Sequence, residues 1–103
     1  MIYIVDIDGT ICISTNSDYN NSIPLFDRIK KINELYDAGH IIIYWTARGG
    51  NSGIDWTDKT HSQIAAWGCK YDKILMNKPV YDVWIDDKAI NAETYFEDLI
   101  NRT

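Results

Sequence analysis

An α/β fold built on an open parallel sheet is predicted by three features of this sequence. Short apolar runs rich in Ile and Val recur, at 2–7 (IYIVDI) and 41–45 (IIIYW), and read as strands buried on both faces. A stripe of apolar residues at helical spacing lies between them. Polar groups follow each run directly, Asp6 and Asp8 after the first and Thr46 after the second. That is the edge at which a parallel sheet presents its ligand-binding groups.

The elements follow in order. Asp6 and Asp8 are two apart on an extended segment, so both carboxylates face one crevice if the chain stays extended through Ile7. Asp8-Gly9 is also a hairpin signal, but a plain turn has no use for a second acid inside the preceding strand, where an unpaired charge is costly. Residues 11–23 are Asn/Ser-rich and turn-prone, with a short flap strand expected near 11–13. Pro24 opens a predicted helix to Ala38, with Leu25, Phe26, Ile29, Ile32, Leu35 and Tyr36 inward and Gly39 as its stop. The 41–45 strand completes a right-handed parallel crossover. The loop GGNSG at 49–53 is flexible by composition. A second helix runs from Asp55 or Thr57 to Trp67, facing inward with Trp56, Thr60, Ile64 and Trp67. A third strand is expected at 73–76, before Asn77-Lys78-Pro79, and a fourth at 82–85, ending in Asp86-Asp87. Asn91 caps a final helix, Ala92 to Ile100, with Tyr95, Phe96, Leu99 and Ile100 inward. The pattern β-α-β-α-β-β-α is an open sheet with helices on both faces.

The chain of 103 residues reads as one domain, residues 1–103. Its hydrophobic fraction of 46% suits a single core, and no apolar run approaches the roughly 20 residues of a membrane helix. No secretory leader is visible. Cys12 and Cys69 lack metal or redox spacing and read as reduced thiols of a cytoplasmic protein. His40 reads as a helix-to-strand turn residue and His61 as a helix-surface residue. The four tryptophans, Trp45, Trp56, Trp67 and Trp84, read as core aromatics, with Trp56 the best placed for exposure and for stacking on a sugar. A net charge of −5 disfavours a nucleic-acid-coating protein. Setting aside Asp6, Asp8, Asp86 and Asp87 leaves eleven acidic against ten basic residues, so most of the negative excess falls in one place if these four converge.

In a parallel sheet the ends of all four strands share one edge. Two carboxylate clusters there repel each other. A hard divalent cation resolves the repulsion, and oxygen-only ligation favours Mg²⁺ over Zn²⁺. Thr46 adds a hydroxyl and Lys78 a positive charge, and with the cation they make a cradle for a phosphoryl group.

These motifs together resemble the haloacid dehalogenase (HAD) superfamily: IVDIDGT for DxDGT, IIIYWT for the strand ending in Thr or Ser, Lys78 in MNKP, and VWIDDKA for the terminal acidic pair. They occur in order across residues 2–88. TAR at 46–48 and KPVYDVWIDDKA at 78–89 look like small capless phosphatases of the sort associated with capsular-polysaccharide biosynthesis. The resemblance implies a three-layer Rossmann-like core with spatial strand order 3-2-1-4 and no cap domain. It implies an Mg²⁺-dependent phosphomonoester hydrolase in which Asp6 is the nucleophile that becomes an aspartyl-phosphate and Asp8 is the general acid and then base. Thr46 and Lys78 would hold phosphoryl oxygens, and the amides of Gly9 and Thr10 would complete the cradle. The metal would be held by Asp6, the backbone carbonyl of Asp8 and Asp86, with Asp87 acting through a metal-bound water. An acid at Asp8 favours hydrolysis over onward phosphoryl transfer.

The 32 residues from Thr46 to Lys78 are filled by one helix and one strand, leaving no room for a cap. The site is therefore expected to be open, taking a bulky substrate or being covered by a second copy of the chain. Ala47, Arg48, Asn51 and Trp56, with Tyr19 and Asn20, are the expected substrate contacts. A small phosphorylated metabolite such as a sugar phosphate is the expected substrate, with a nucleotide or polynucleotide end as the alternative, and no nucleic-acid or membrane partner is expected. Two other classes compete. A receiver-like module carries its acidic pair on the first strand and its phosphoacceptor mid-chain, the reverse of the order here. A non-catalytic binding scaffold would lack a chemical residue, and none is missing.

Overall fold

A computed structural model describes residues 1–100. Its elements are β1 (Ile2–Val5), β2 (Cys12–Ile13), a 3₁₀ turn (Tyr19–Asn21), β3 (Ile23–Pro24), α1 (Phe26–Asp37), β4 (Ile41–Trp45), α2 (Thr57–Ala66), β5 (Lys73–Leu75) and α3 (Ala92–Ile100). The main sheet is parallel in the order β1-β4-β5, in register from Ile2 opposite Ile41 to Val5 opposite Tyr44, and from Ile43 opposite Lys73 to Trp45 opposite Leu75. The expected flap strand is β2, which pairs antiparallel with β3 to close a hairpin over 12–24. Pro24 belongs to β3 rather than to the helix. The amide of Leu25 donates to Ile11 O at 2.8 Å, so the chain stays extended one residue longer before α1 begins.

Residues two apart in a strand share a face. Tyr3 and Val5 of β1, Ile42 and Tyr44 of β4 and Ile74 of β5 lie in one core with Ile29 and Ile32 of α1, Ile64 of α2 and Phe96 of α3. The amide of Glu93 donates to Asn91 Oδ1 at 2.9 Å, the expected cap of α3, and Gly39 and Gly68 close α1 and α2 at φ +95° and +73°. Phe26 and Tyr36, expected in the core, are exposed at the ends of the α1 stripe. His40 sits in the turn before β4, its ring edge-on to Tyr3, and His61 is exposed on α2. Cys12 and Cys69 are free and buried.

Helices on both faces were expected, and here the structure differs. All three pack on the face bearing Tyr3 and Val5. Two right-handed crossovers taken in the same direction, β1 to β4 and β4 to β5, put both of their helices on the same side, and α3 joins them. On the opposite face Ile2, Ile4, Ile41 and Leu75 are exposed, while Trp45 is half-covered and meets the edge of Trp84 at 6.1 Å.

The fourth expected strand, 82–85, is irregular and unpaired, so β1 is an edge strand rather than an interior one. The physical reason is local. The amide of Lys88 donates to Asp86 Oδ1 at 2.8 Å and Trp84 Nε1 to Asp86 Oδ2 at 3.4 Å, a side-chain turn that competes with extended pairing. With no helix layer on that side, Val83, Trp84 and Ile85 are 74%, 41% and 94% exposed. Ile85→Thr is therefore expected to change unfolding free energy by no more than about 0.5 kcal/mol, as at an ordinary surface position. A loss above about 1.5 kcal/mol in urea titration would mean that this segment is buried in a sheet.

Candidate active site

β1 ends at Val5, and Asp6 and Asp8 follow it at the edge that the sequence reading assigned. They border an open cavity of about 440 Å³ whose wall also includes Thr46, Ala47, Arg48, Asn51, Trp56 and Lys78. Tyr19 from the hairpin, Pro79 to Tyr81 from beyond β5, and Ile54 from the loop before α2 also border it.

Asp6 faces Lys78, with Oδ1 3.5 Å from Nζ, and Oδ2 accepts the Thr10 hydroxyl at 3.3 Å. Burial pushes the Asp6 carboxyl up from its ordinary value, against the downward pull of Lys78. Lys78 is delivered by two backbone devices. Asn77 takes a left-handed conformation at φ +65°, and the Lys78 amide donates to Thr46 O at 3.0 Å. The ammonium also lies over the rings of Tyr81 and Trp84, at 5.2 and 5.6 Å from their centroids.

Asp8 is held differently. Arg48 donates from Nε to Oδ2 at 2.9 Å and from Nη2 to Oδ1 at 2.8 Å, a bidentate pair, and Ser14 Oγ donates to Oδ1 at 2.5 Å. Burial works against the charge, but the Arg48 fork and Ser14 outweigh it and keep the Asp8 carboxyl below its ordinary range. The Arg48 side chain is only 1% exposed. It borders the cavity as part of its floor, not as a contact reaching outward to substrate.

Thr46 is buried, and its Oγ1 accepts the Arg48 amide at 3.1 Å while its hydroxyl proton stays available. Gly49 turns the loop at φ +84°, and a Cβ there would collide with Ile54 O. The loop is thus a specific turn, contrary to the flexibility its composition suggests. Trp56 is half-buried, edge-on to Tyr19 at 5.0 Å.

Other expected residues lie elsewhere. Gly9 and Thr10 are outside the cavity wall, and their amides are used within the turn, donating to Cys12 O and Ile7 O at 2.8 and 3.1 Å. Thr10 contributes through its hydroxyl on Asp6 instead. Asn20 is exposed and away from the wall. Asp86 and Asp87 do not reach the cavity, because the segment that carries them does not pair with β1. Asp86 is fully exposed, its carboxyl lowered first by the Lys88 amide and then by Trp84. Gln63, absent from the sequence reading, accepts from Arg48 Nη1 at 2.6 Å. Its position three residues after the buried Thr60 on the same helix face was the available signal.

The two acids and two bases of the cavity sum to zero charge, so a phosphate dianion would leave an unbalanced −2. Among the described residues there is no group of three or more His, Cys, Asp and Glu set to hold a metal. Magnesium, however, is commonly held by one or two carboxylates together with phosphate oxygens and water. Asp6 fits such a site; Asp86 and Asp87, as placed, do not.

No protein-family model matches the chain, and no curated protein matches it. Solved structures do. A crystal structure of a target protein from Vibrio cholerae is 29% identical, with TM-score 0.81 over 92% of this chain and 86% of that one. A D,D-heptose 1,7-bisphosphate phosphatase from B. bronchiseptica, complexed with magnesium and phosphate, is 21% identical, with TM-score 0.55 over 98% of this chain and 62% of that one. A chain of the Pnkp1/Rnl/Hen1 complex is 18% identical, with TM-score 0.60 over 96% of this chain and 34% of that one. This chain thus spans about a third to two thirds of the latter two. The likeness shows a HAD-like α/β core, without a cap among the described residues.

Proposed function

We propose that this chain hydrolyses phosphomonoesters with the help of Mg²⁺, through an aspartyl-phosphate on Asp6. The observation that carries the reading is the Asp6–Lys78 pair at the open end of β1, beside Thr46 and two residues from Asp8. Asp6 supplies an oxygen nucleophile, and Lys78 stands where an acyl-phosphate would need countercharge. A bound Mg²⁺ held by Asp6 supplies the remaining positive charge.

The chemistry balances in two steps. An Asp6 oxygen bonds to phosphorus as the ester P–O bond breaks, and the departing oxygen takes a proton delivered from Asp8. Water then bonds to phosphorus as the bond to Asp6 breaks, its proton passing to the Asp8 carboxylate. The products are an alcohol and inorganic phosphate. Arg48 holds Asp8 as a carboxylate, so the proton of the first step comes from solvent by way of Asp8, and the proton taken from water in the second step returns to solvent by the same route.

The rest of the substrate would meet Tyr19, Asn51, Trp56 and Tyr81, a wall of aromatic and neutral polar groups. Arg48 and Lys78, the cations of the cavity, are already paired with Asp8 and Asp6. That supports a small substrate with one phosphate and an uncharged, sugar-like remainder over a polynucleotide end, whose further phosphates call for more cations. The name of the heptose bisphosphate phosphatase fits the sugar-like remainder, while its second phosphate does not fit a single-phosphate substrate. No helix among the described residues is long and apolar enough to cross a membrane, and two buried free thiols are in keeping with a cytoplasmic setting.

The purified protein is expected to release phosphate from p-nitrophenyl phosphate only with Mg²⁺ present, to lose that activity on addition of EDTA and to regain it with excess Mg²⁺. Undiminished turnover in EDTA would remove the metal from the mechanism. No turnover in either condition, with sugar phosphates tested alongside, would favour a binding role for the fold.

A further inference from the structure

The Arg48 guanidinium is a junction. One end holds both oxygens of Asp8. At the other, Nη1 donates to Gln63 Oε1 at 2.6 Å and Thr60 Oγ1 at 3.3 Å on α2. Gln63 in turn donates from Nε2 to Tyr19 O at 2.5 Å, tying the pair to the 12–24 hairpin. The Tyr19 ring lies against the guanidinium with its centroid 4.7 Å from Cζ. The hairpin reaches the acid itself through Ser14 Oγ on Asp8, and Ser14 meets Ser22 Oγ at 2.6 Å. Ser22 Oγ accepts from Arg48 Nη2 at 3.4 Å.

We propose that Arg48 and Gln63 are positioning residues that make the aim of the Asp8 carboxylate depend on the 12–24 hairpin, so that a substrate seated against Tyr19 also orients Asp8. The inference rests on the hydrolytic reading above. Its physical basis is the rigidity and burial of the fork. A planar guanidinium that donates at both ends turns as one body, so moving its Gln63 end turns its Asp8 end. Shielded from water, Arg48 cannot exchange a lost protein partner for solvent at little cost. Tyr19 O, the Tyr19 ring, Ser14 and Ser22 all belong to one short hairpin, so its displacement loosens every one of these contacts together. Tyr19 is at the same time a wall of the cavity and edge-on to Trp56. It is therefore placed to sense what occupies the cavity.

The test uses Tyr19→Ala, Gln63→Leu and the double variant, with Arg48→Lys as a fourth protein, each first checked for a cooperative melt. On aryl phosphates with Mg²⁺, Tyr19→Ala and Gln63→Leu are each expected to lower kcat about ten- to a hundredfold, the scale of a misplaced catalytic group. Tyr19→Ala removes the ring against the guanidinium and leaves the Tyr19 backbone carbonyl, whereas Gln63→Leu removes the hydrogen bonds to that carbonyl and to Arg48. The double variant is expected to be no worse than the poorer single one, because both contacts hold one guanidinium to one hairpin. Arg48→Lys, which keeps the charge but loses the fork, is expected to lower kcat with KM changed less than about threefold. Tyr19→Ala raising KM with kcat unchanged, or losses that multiply in the double variant, would overturn the coupling. A second readout does not need turnover. The Arg48 Nε proton, held by Asp8, is expected as a slowly exchanging NMR signal in the unaltered protein, weakened or lost in Tyr19→Ala and Gln63→Leu. Its persistence unchanged in both would overturn the inference even if no phosphate ester were hydrolysed, whereas its loss without any turnover would count against the hydrolytic reading and not against the linkage.

Discussion

Asp6→Asn is expected to abolish hydrolysis of aryl phosphates, by about a thousandfold or more, while leaving a protein at least as stable as the original. The amide lacks an ionised oxygen to bond to phosphorus, so no acyl-phosphate forms. The stability half follows from the environment of the acid. Burial pushes the Asp6 carboxyl above its ordinary range despite Lys78, so the folded state disfavours its ionised form. For an acid whose folded pKa is raised, the folded state binds the proton more readily, and stability falls as pH rises through the window between the unfolded and folded values. The original protein is therefore expected to be no more stable than Asp6→Asn at neutral pH, and the difference to close as pH falls below the folded value. Melting curves across pH 3–7 beside a phosphate-release assay check both halves. A variant that turns over normally ends the nucleophile assignment; one that melts well below the original means that losing the Lys78 contact outweighs relief of a charge that is only partly buried, its side chain being 36% exposed.

Asp8→Ala is expected to do the opposite to the fold. It removes the partner of a guanidinium that is almost wholly enclosed, and stranding one half of a buried ion pair costs about 3–5 kcal/mol. The Asp8 side chain is 25% exposed, which lowers the expectation to about 2–4 kcal/mol after allowance for solvent screening. Here the sign with pH also reverses. Arg48 and Ser14 hold the Asp8 carboxyl low. Its contribution is thus fully present above the unfolded pKa of about 3.9 and is lost as pH falls through the folded value. Urea titrations at pH 7 and at progressively lower pH are expected to show a large gap between the original and Asp8→Ala that narrows on acidification. Equal midpoints at pH 7 would show that the Arg48–Asp8 pair adds nothing net to stability. Two carboxylates only two residues apart are thus expected to have contrary effects on stability. One is a reactive group kept at some cost to the fold; the other helps hold the fold together.

Local features carried much of this. The apolar runs at 2–7, 41–45 and 73–76 yielded strands that pair in the expected parallel order, but burial on both faces is not met: Ile2, Ile4 and Ile41 lie exposed on the face that no helix covers. The stripe Ile29, Ile32, Leu35 became the inner face of α1, and Asn91 capped α3 because its side chain accepts the Glu93 amide wherever that helix packs. The meeting of Asp6, Asp8, Thr46 and Lys78 was legible for a topological reason: residues that follow parallel strands share an edge. Composition was less dependable. The glycine-rich loop at 49–53 is a specific turn set by Gly49, since glycine marks both slack chain and tight geometry.

Strand polarity and short connections, which do not depend on distant packing, were enough to bring Asp6, Asp8, Thr46 and Lys78 to the head of the sheet, but not to say that Asp86 and Asp87 stay away from it. How each of them is held there came only with the packing of distant segments. Arg48 was legible as a cation beside the site, but its burial against Asp8 depends on α2 and the 12–24 hairpin arriving from residues far along the chain. Asp86 and Asp87 carry an acidic motif in the expected place, yet a strand forms only where an edge receives it and a layer covers it. The edge of β1 is there to receive 82–85, but with all three helices on one face no layer covers it.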